Sequence, residues 1–238
     1  MSAHGGRRPP VARLDSRPVS AETDIEKRLA AEAAAELVQD GMTVGLGTGS
    51  TVAHLLPALA ARNLSLRCVA TSVATEEQAT ELGLEVEAFD ALVRLDIAID
   101  GADQISPERW LVKGGGGAHT REKIVAAAAE RFVVIADSGK PTDAIAPPIP
   151  LELFEYGLSA TLTRLGELGD VQRRDAPPSP DGGVIADYYG DVGDPAELAG
   201  RLAVEPGVID HGLFPAAMVS DVLIARGAEV EHRHVIAT

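Results

Sequence analysis

Between residues 22 and 138 amphipathic runs alternate with short β-branched ones. Residues 22–39 place Ile25, Leu29, Ala33 and Leu37 at four-residue spacing, which predicts a helix stopped at Gly41. MTVGLG reads as a short buried strand. TGSTVAHLLPALAARN then reads as a glycine turn entering a helix, in which Pro57 predicts a kink or break. RCVATS, LEVEAF and DIAID read as strands, with TEEQATELG a helix closed by glycine. After a loop and WLVK, TREKIVAAAAER predicts a helix capped by Thr120, and FVVIADS another strand. This alternation predicts a doubly wound, mostly parallel α/β sheet.

The pattern changes at the proline-rich stretch 141–150. LELFEY predicts a strand, GLSATLTRLGELG a helix and VQRR a short extended segment. A DGG turn, the strand VIADYYG, the helix DPAELAGRLAVEPG and the strand VIDHGLF follow. Asp194 and Pro195 suit the N-cap and first turn of that helix. The order β-α-β-β-α-β is the split βαβ, ferredoxin-like layout. The stretch VSDVLIARGAEVEHRHV supplies further strand that returns to the first sheet. The expected division is a disordered tail over 1–20, a Rossmann-like catalytic domain over 21–145 plus 212–238, and a small domain over 146–211.

Apolar residues make up 45% and aromatic ones 3%, so the core is expected to be aliphatic and alanine-rich, as in a covered parallel sheet. The net charge of −15 repels nucleic acid and anionic membranes, and neither is expected as a partner. It also repels phosphate, so any phosphate site needs local backbone N–H groups and a few cations. The single cysteine, Cys68, excludes an intrachain disulfide and reads as a core residue. No apolar run approaches membrane-spanning length. The arginine-containing first 20 residues read as a tail, and the expected location is the cytoplasm.

Chemistry concentrates between residues 96 and 140. Only four of the 21 Lys and Arg residues are lysines, and Lys113, Lys123 and Lys140 all fall there. Gly45, Gly47 and Gly49 interleave with Thr48, Ser50 and Thr51 between a strand and a helix, a turn suited to an anion or to an ordinary cap. It matches neither the Walker pattern nor GxGxxG. Asp100, Gly101, Ala102 and Asp103 end a strand; the carboxylates suit sugar hydroxyls or proton transfer, and offer too few oxygens for a hard cation. Lys113 opens a run of four glycines, Gly114 to Gly117, whose entropic cost fits close backbone approach to a ligand. Glu122 falls in a helical first turn, where acids are favoured for the dipole alone. The histidines form no zinc pattern, and no metal site is expected; His119 is the one near enough to the glycines to touch a ligand.

Over residues 22–226 the chain resembles the ribose-5-phosphate isomerase family, type A, through GLGTGST, DGADQI, KGGGGAHTREKI and ADSGK, in order. The resemblance implies interconversion of D-ribose 5-phosphate and D-ribulose 5-phosphate without metal or organic cofactor, in a homodimer or homotetramer. It implies Glu122 as proton acceptor, with Asp100 and Lys113 catalytic. It implies substrate binding by Thr48, Gly49, Ser50, Thr51, Asp100, Gly101, Ala102, Asp103, Lys113, Gly114, Gly115, Gly116 and Lys140. The chain departs from the family at Gln104, where an acid is commoner, at His119, where an apolar residue is usual, and in the proline-rich 141–155. A sugar-phosphate sensor without turnover and an acyl-CoA transferase using Glu122 as nucleophile stay open at this point.

Overall fold

The computed structural model describes residues 21–234; the expected tail over 1–20 lies outside them. The chain runs α1 (Ala21–Ala35), β1 (Thr43–Leu46), α2 (Val52–Ala61), β2 (Arg67–Ala70), α3 (Val73–Glu81) and β3 (Leu95–Gly101). It continues through β4 (Gln104–Ile105), β5 (Leu111–Val112), α4 (His119–Ala128), β6 (Ala129–Ala136), β7 (Ile149–Leu153), α5 (Leu158–Leu168) and β8 (Val171–Arg173). It ends in β9 (Val184–Tyr188), α6 (Pro195–Ala203), β10 (Val208–His211), β11 (Leu213–Phe214), β12 (Asp221–Arg226) and β13 (Glu229–His234).

The large sheet has the order β13-β12-β6-β3-β1-β2, parallel throughout except for the β12–β13 hairpin at one edge. Alternate residues feed two cores. Ile97, Ile99, Val133 and Ile135 face α1 and α2, while Ala98, Phe132, Val134 and Ala136 pack with Val125 and Ala126 of α4. A parallel sheet buried on both faces is what continuous aliphatic strands dictate. The chain order reverses between β1 and β3, and a crevice opens at their carboxyl ends, the usual ligand position in such sheets. A separate antiparallel sheet, β10-β7-β9-β8, carries its own core of Leu151, Leu165, Tyr188 and Leu202. The expected α/β architecture is therefore present, with a mostly parallel sheet and a smaller antiparallel one.

Several local expectations are corrected. The buried face of α1 is Glu26, Lys27, Ala30, Ala31, Ala34 and Ala35, whereas Ile25 is 46% exposed. The helix ends at Ala35 rather than 39, where the Arg62 guanidinium takes the carbonyls of Ala35 and Val38. Pro57 does not break α2, which runs on to Ala61 with the proline exposed and the N–H it lacks on the solvent side. Residues 84–89 form no strand beyond a single bridge from Cys68 to Val86, because they flank an edge and run into a 3-10 turn. The helix α4 begins at His119 with Ala118 at the cap, so Thr120 does not cap it. It stops at Ala128, because pairing with β3 draws Ala129 to Arg131 into β6. VIDHGLF is split at Gly212: β10 joins the small sheet, and β11 joins a three-stranded sheet, β11-β5-β4, that the pattern did not suggest.

Candidate active site

A cleft of about 130 Å³ lies at the β1/β3 reversal. Thr48, Gly49, Ser50, Thr51, Gly101, Ala102, Asp103, Lys113, Gly114, Gly115, Gly116, Glu122 and Lys140 line it. These are all the site residues that the family resemblance implies save Asp100, which stands in the wall behind Lys113.

The wall is built by close approach. Gly47, directly after β1, lies so near Asp100 that a Cβ there would sit 2.0 Å from the carboxyl carbon. That contact lets Asp100 Oδ1 accept from the N–H groups of Thr48 (3.1 Å) and Gly101 (2.7 Å). Lys113 leaves β5, which is paired on both sides, and enters the same wall. Its Nζ stands 2.9 Å from Asp100 Oδ2, 3.2 Å from Glu122 Oε2, and donates to Gly101 O at 2.6 Å. It also lies 5.6 Å from the centre of the Phe214 ring. The side chains of Lys113, Asp100 and Glu122 are only 3–5% exposed.

Burial of two carboxylates beside one ammonium sets their protonation. Burial pushes Lys113 down, but Asp100 and then Glu122 outweigh it and hold the ammonium above its ordinary value. Asp100 is raised by burial, against the opposing pull of Lys113. Glu122 is pushed up to about 8, first by burial and next by the Asp100 charge, with Lys113 opposing. Its Oε2 is buried without an aligned hydrogen bond, although Lys113 is near. The arrangement is a carboxylate that can exchange a proton near neutral pH, beside a fixed cation.

The remaining loops complete the cleft. Asp103, at the exposed rim, accepts from Gly115 N–H at 2.9 Å. Gly114 has φ +106°, and a Cβ there would meet His119 Nδ1 at 2.6 Å. His119 is thus packed beneath the loop and not in the cleft; burial pushes it down to about 4. Gln104 instead pins Ala146 through both ends of its amide. Cys68 sits in the core, its thiol pushed up to about 12 by burial. Among the described residues no group of three or more His, Cys, Asp or Glu is placed to hold a metal ion.

Two supporting residues escaped the sequence reading. Lys27 of α1 donates from Nζ to Ser50 Oγ at 3.0 Å, which brings a third lysine to the cleft. Its neighbour Glu26 accepts from Ser138 N–H (2.9 Å) and Oγ (2.7 Å), in the loop that carries Lys140, and from Gly227 N–H (2.7 Å). Burial opposes the Glu26 charge, but these bonds hold its carboxyl below the ordinary value. The only available signal was that a helix with a weak apolar stripe had two adjacent charges on its inner side.

Comparison with known proteins places the chain among relatives. A family model described as Ribose 5-phosphate isomerase A (phosphoriboisomerase A) matches residues 67–229, and one described as DeoR C terminal sensor domain matches residues 22–86. Ribose-5-phosphate isomerase A of Caulobacter sp. is 44% identical over 203 residues, covering 80% of this chain and 90% of the relative. The crystal structure of ribose 5 phosphate isomerase A from Neisseria gonorrhoeae superposes with a TM-score of 0.86 at 30% identity, covering 89% of this chain and 97% of that one. A D-ribose-5-phosphate isomerase in complex with phospho-erythronic acid superposes with a TM-score of 0.84 at 29% identity, covering 90% and 99% of the two chains. The chain belongs to the ribose 5-phosphate isomerase A family.

Proposed function

We propose that this cleft interconverts D-ribose 5-phosphate and D-ribulose 5-phosphate through an enediolate, with Glu122 carrying the proton. The observation that carries the reading is the buried Glu122 oxygen, unpaired by hydrogen bonding, 3.2 Å from Lys113. Ring opening moves a proton from the anomeric hydroxyl to the ring oxygen. Asp100 is the assigned group, its carboxylate held by two amides and Lys113, with Asp103 at the rim beside it. Glu122 then takes the proton from C2. The C–H electrons form the C1=C2 bond, and the carbonyl electrons move onto O1. Lys113 and the glycine amides stabilise that oxyanion. Glu122 then returns the proton to C1, the C1=C2 electrons forming the new C–H bond. The O2–H electrons form the C2=O ketone, and the proton leaving O2 passes to the O1 oxyanion, which becomes the C1 hydroxyl.

The phosphate is assigned to the 48–51 turn with Lys140 and Lys27. Holding it there positions the remote carbons for transfer. A phosphate joined to a short carboxylate chain, the ligand class of the similar phospho-erythronic acid complex, has a planar anionic end like an enediolate. In this reading residues 21–145 with 212–238 form the catalytic domain and 146–211 a smaller one. The separate cores and the break at Gly212 support that division. A homodimer or homotetramer acting in the cytoplasm completes the proposal; the exposed Phe154 and Tyr156 offer surface for a second copy to cover.

The test is NMR of the purified protein with D-ribose 5-phosphate in D₂O and EDTA. Ribulose 5-phosphate forms with deuterium at the transferred carbon, and Glu122→Gln lowers kcat by about 10²–10⁴-fold. Unchanged turnover in that variant removes Glu122 from the mechanism. Binding without turnover in the parent protein moves the weight to a sensor, the reading that the match over residues 22–86 favours.

A further inference from the structure

The glycine loop between β5 and α4 is gripped from the small sheet by one side chain. Arg174 directly follows β8, and its Nη1 donates to Gly114 O and Gly115 O, both at 3.0 Å. Its Nε and Nη2 fork onto Asp187 at 2.8 and 2.5 Å. The Arg174 side chain is 14% exposed and that of Asp187 4%. A guanidinium can satisfy two carbonyls and a carboxylate at once, which a single ammonium cannot do in this planar geometry.

The consequence follows from peptide planarity. In a trans peptide the C=O and N–H point in opposite directions. Turning Gly114 O toward Arg174 therefore turns Gly115 N–H away from it, and that N–H is found on Asp103. Turning Gly115 O toward Arg174 likewise turns Gly116 N–H away from it, and Gly116 lines the cleft. Consecutive glycines have no side chains with which to lock these orientations. Within the loop Gly117 N–H donates to Gly114 O at 3.0 Å, and Arg174 holds that carbonyl and the next from outside.

We propose that Arg174, held by Asp187, is a positioning residue for the isomerisation. It orients the Gly115 and Gly116 amides as donors toward the rim carboxylate and the reacting oxygens. The proposal rests on the isomerase reading above and deepens it, since it makes the 146–211 part a contributor to proton transfer.

The test compares Arg174→Ala, Arg174→Lys and Arg121→Ala in the full chain. Arg121 forks onto Asp181 at 2.8 and 2.6 Å, joining the same two parts of the molecule away from the loop carbonyls. Steady-state kinetics with D-ribose 5-phosphate are read together with thermal midpoints, with and without millimolar guanidinium chloride. Arg174→Ala is expected to lose about 10–100-fold in kcat, with KM changed less than about threefold. Arg174→Lys stays similarly low, and Arg121→Ala keeps kcat within about threefold of the parent. Added guanidinium raises kcat in Arg174→Ala several-fold and leaves the parent unaffected. The proposal is overturned if the parent turns over and Arg174→Ala keeps its kcat, if the loss falls wholly in KM, or if Arg121→Ala falls as far. Should Arg174→Ala fail to fold, Arg174→Lys and Asp187→Asn are read by the same kcat criterion. A parent protein without turnover strikes the isomerase reading instead.

Discussion

Glu122 can act as a base only when ionised, and its carboxyl is pushed up to about 8 by burial and by Asp100. The ionised fraction is then about one tenth at pH 7 and about one hundredth at pH 6. Since kcat/KM reports the free enzyme, it should fall about tenfold per unit below pH 7 and level off above about pH 9. Lys113 is held above its ordinary value and stays cationic across this range, so it adds no alkaline limb. The substrate phosphate titrates near pH 6, which steepens the profile only at its acid end. The assay is initial rates at substrate well below KM, from pH 5.5 to 9.5 at constant ionic strength. Salt should hardly move the limb, because the interacting groups are buried. Stability must run the other way. A carboxyl whose folded pKa is raised binds its proton more tightly in the folded state, so ionising it between the ordinary value and about 8 costs stability. Glu122→Gln should therefore unfold at a higher temperature than the parent at pH 8–9, with the difference shrinking toward pH 4.5. A kcat/KM flat from pH 6 to 9, or a limb centred near the ordinary carboxylate value, would refute the reasoning.

Two other outcomes follow from residues outside the sequence motifs. Lys27→Met removes the cation on Ser50 and should raise KM about tenfold or more with a smaller effect on kcat; a loss confined to kcat would take Lys27 out of substrate binding. Asp221 is fully buried and accepts from Arg131, His232 and His234. Burial opposes its charge, but these partners hold its carboxyl well below the ordinary value. Its stabilisation is present above the unfolded carboxylate value and is lost as pH falls through the lower folded one. Asp221→Asn should cost about 3 kcal/mol at pH 7, read by urea unfolding, and a cost below about 0.5 kcal/mol would show the cluster to be idle.

What was legible in the sequence, and what was not, divides along the range of the forces involved. The turn after β1, the Asp100–Asp103 segment, the Lys113 glycine run and the loop to Lys140 announced themselves because each is local. A strand ends and the backbone must take a conformation or approach that glycine permits, and in the last two a scarce lysine stands beside it. Parallel order, which sends the carboxyl ends of β1, β3 and β6 to the same side, brings three of them to one cleft, while the Lys113 run reaches it from β5 in the separate three-stranded sheet. Where long-range pairing competes with local propensity, the local reading fails. Ala129 belongs by propensity to a helix, yet it pairs with Leu95 and opens β6. Two-residue strands such as β4 and β5 leave no period to detect.

The deeper misses are buried charges, and they share a cause. A search for the apolar stripe of α1 selects Ile25 and overlooks Glu26 and Lys27, because it assumes that what faces inward is apolar. Both charges face inward because the interior there is made of loop hydroxyls and amides: Ser50, Ser138 and the Gly227 N–H. Arg174 was invisible for a related reason. Its partners, Gly114 and Gly115, lie about 60 residues away, and it meets them only once the small sheet folds beside the large one. A buried charge remains charged only where polar groups are gathered for it, and for these residues those groups belong to the loops that build the cleft. The inward-facing Glu26, Lys27, Asp100, Lys113, Glu122 and Arg174 therefore mark the outline of the site from behind, as the glycines mark it from the front.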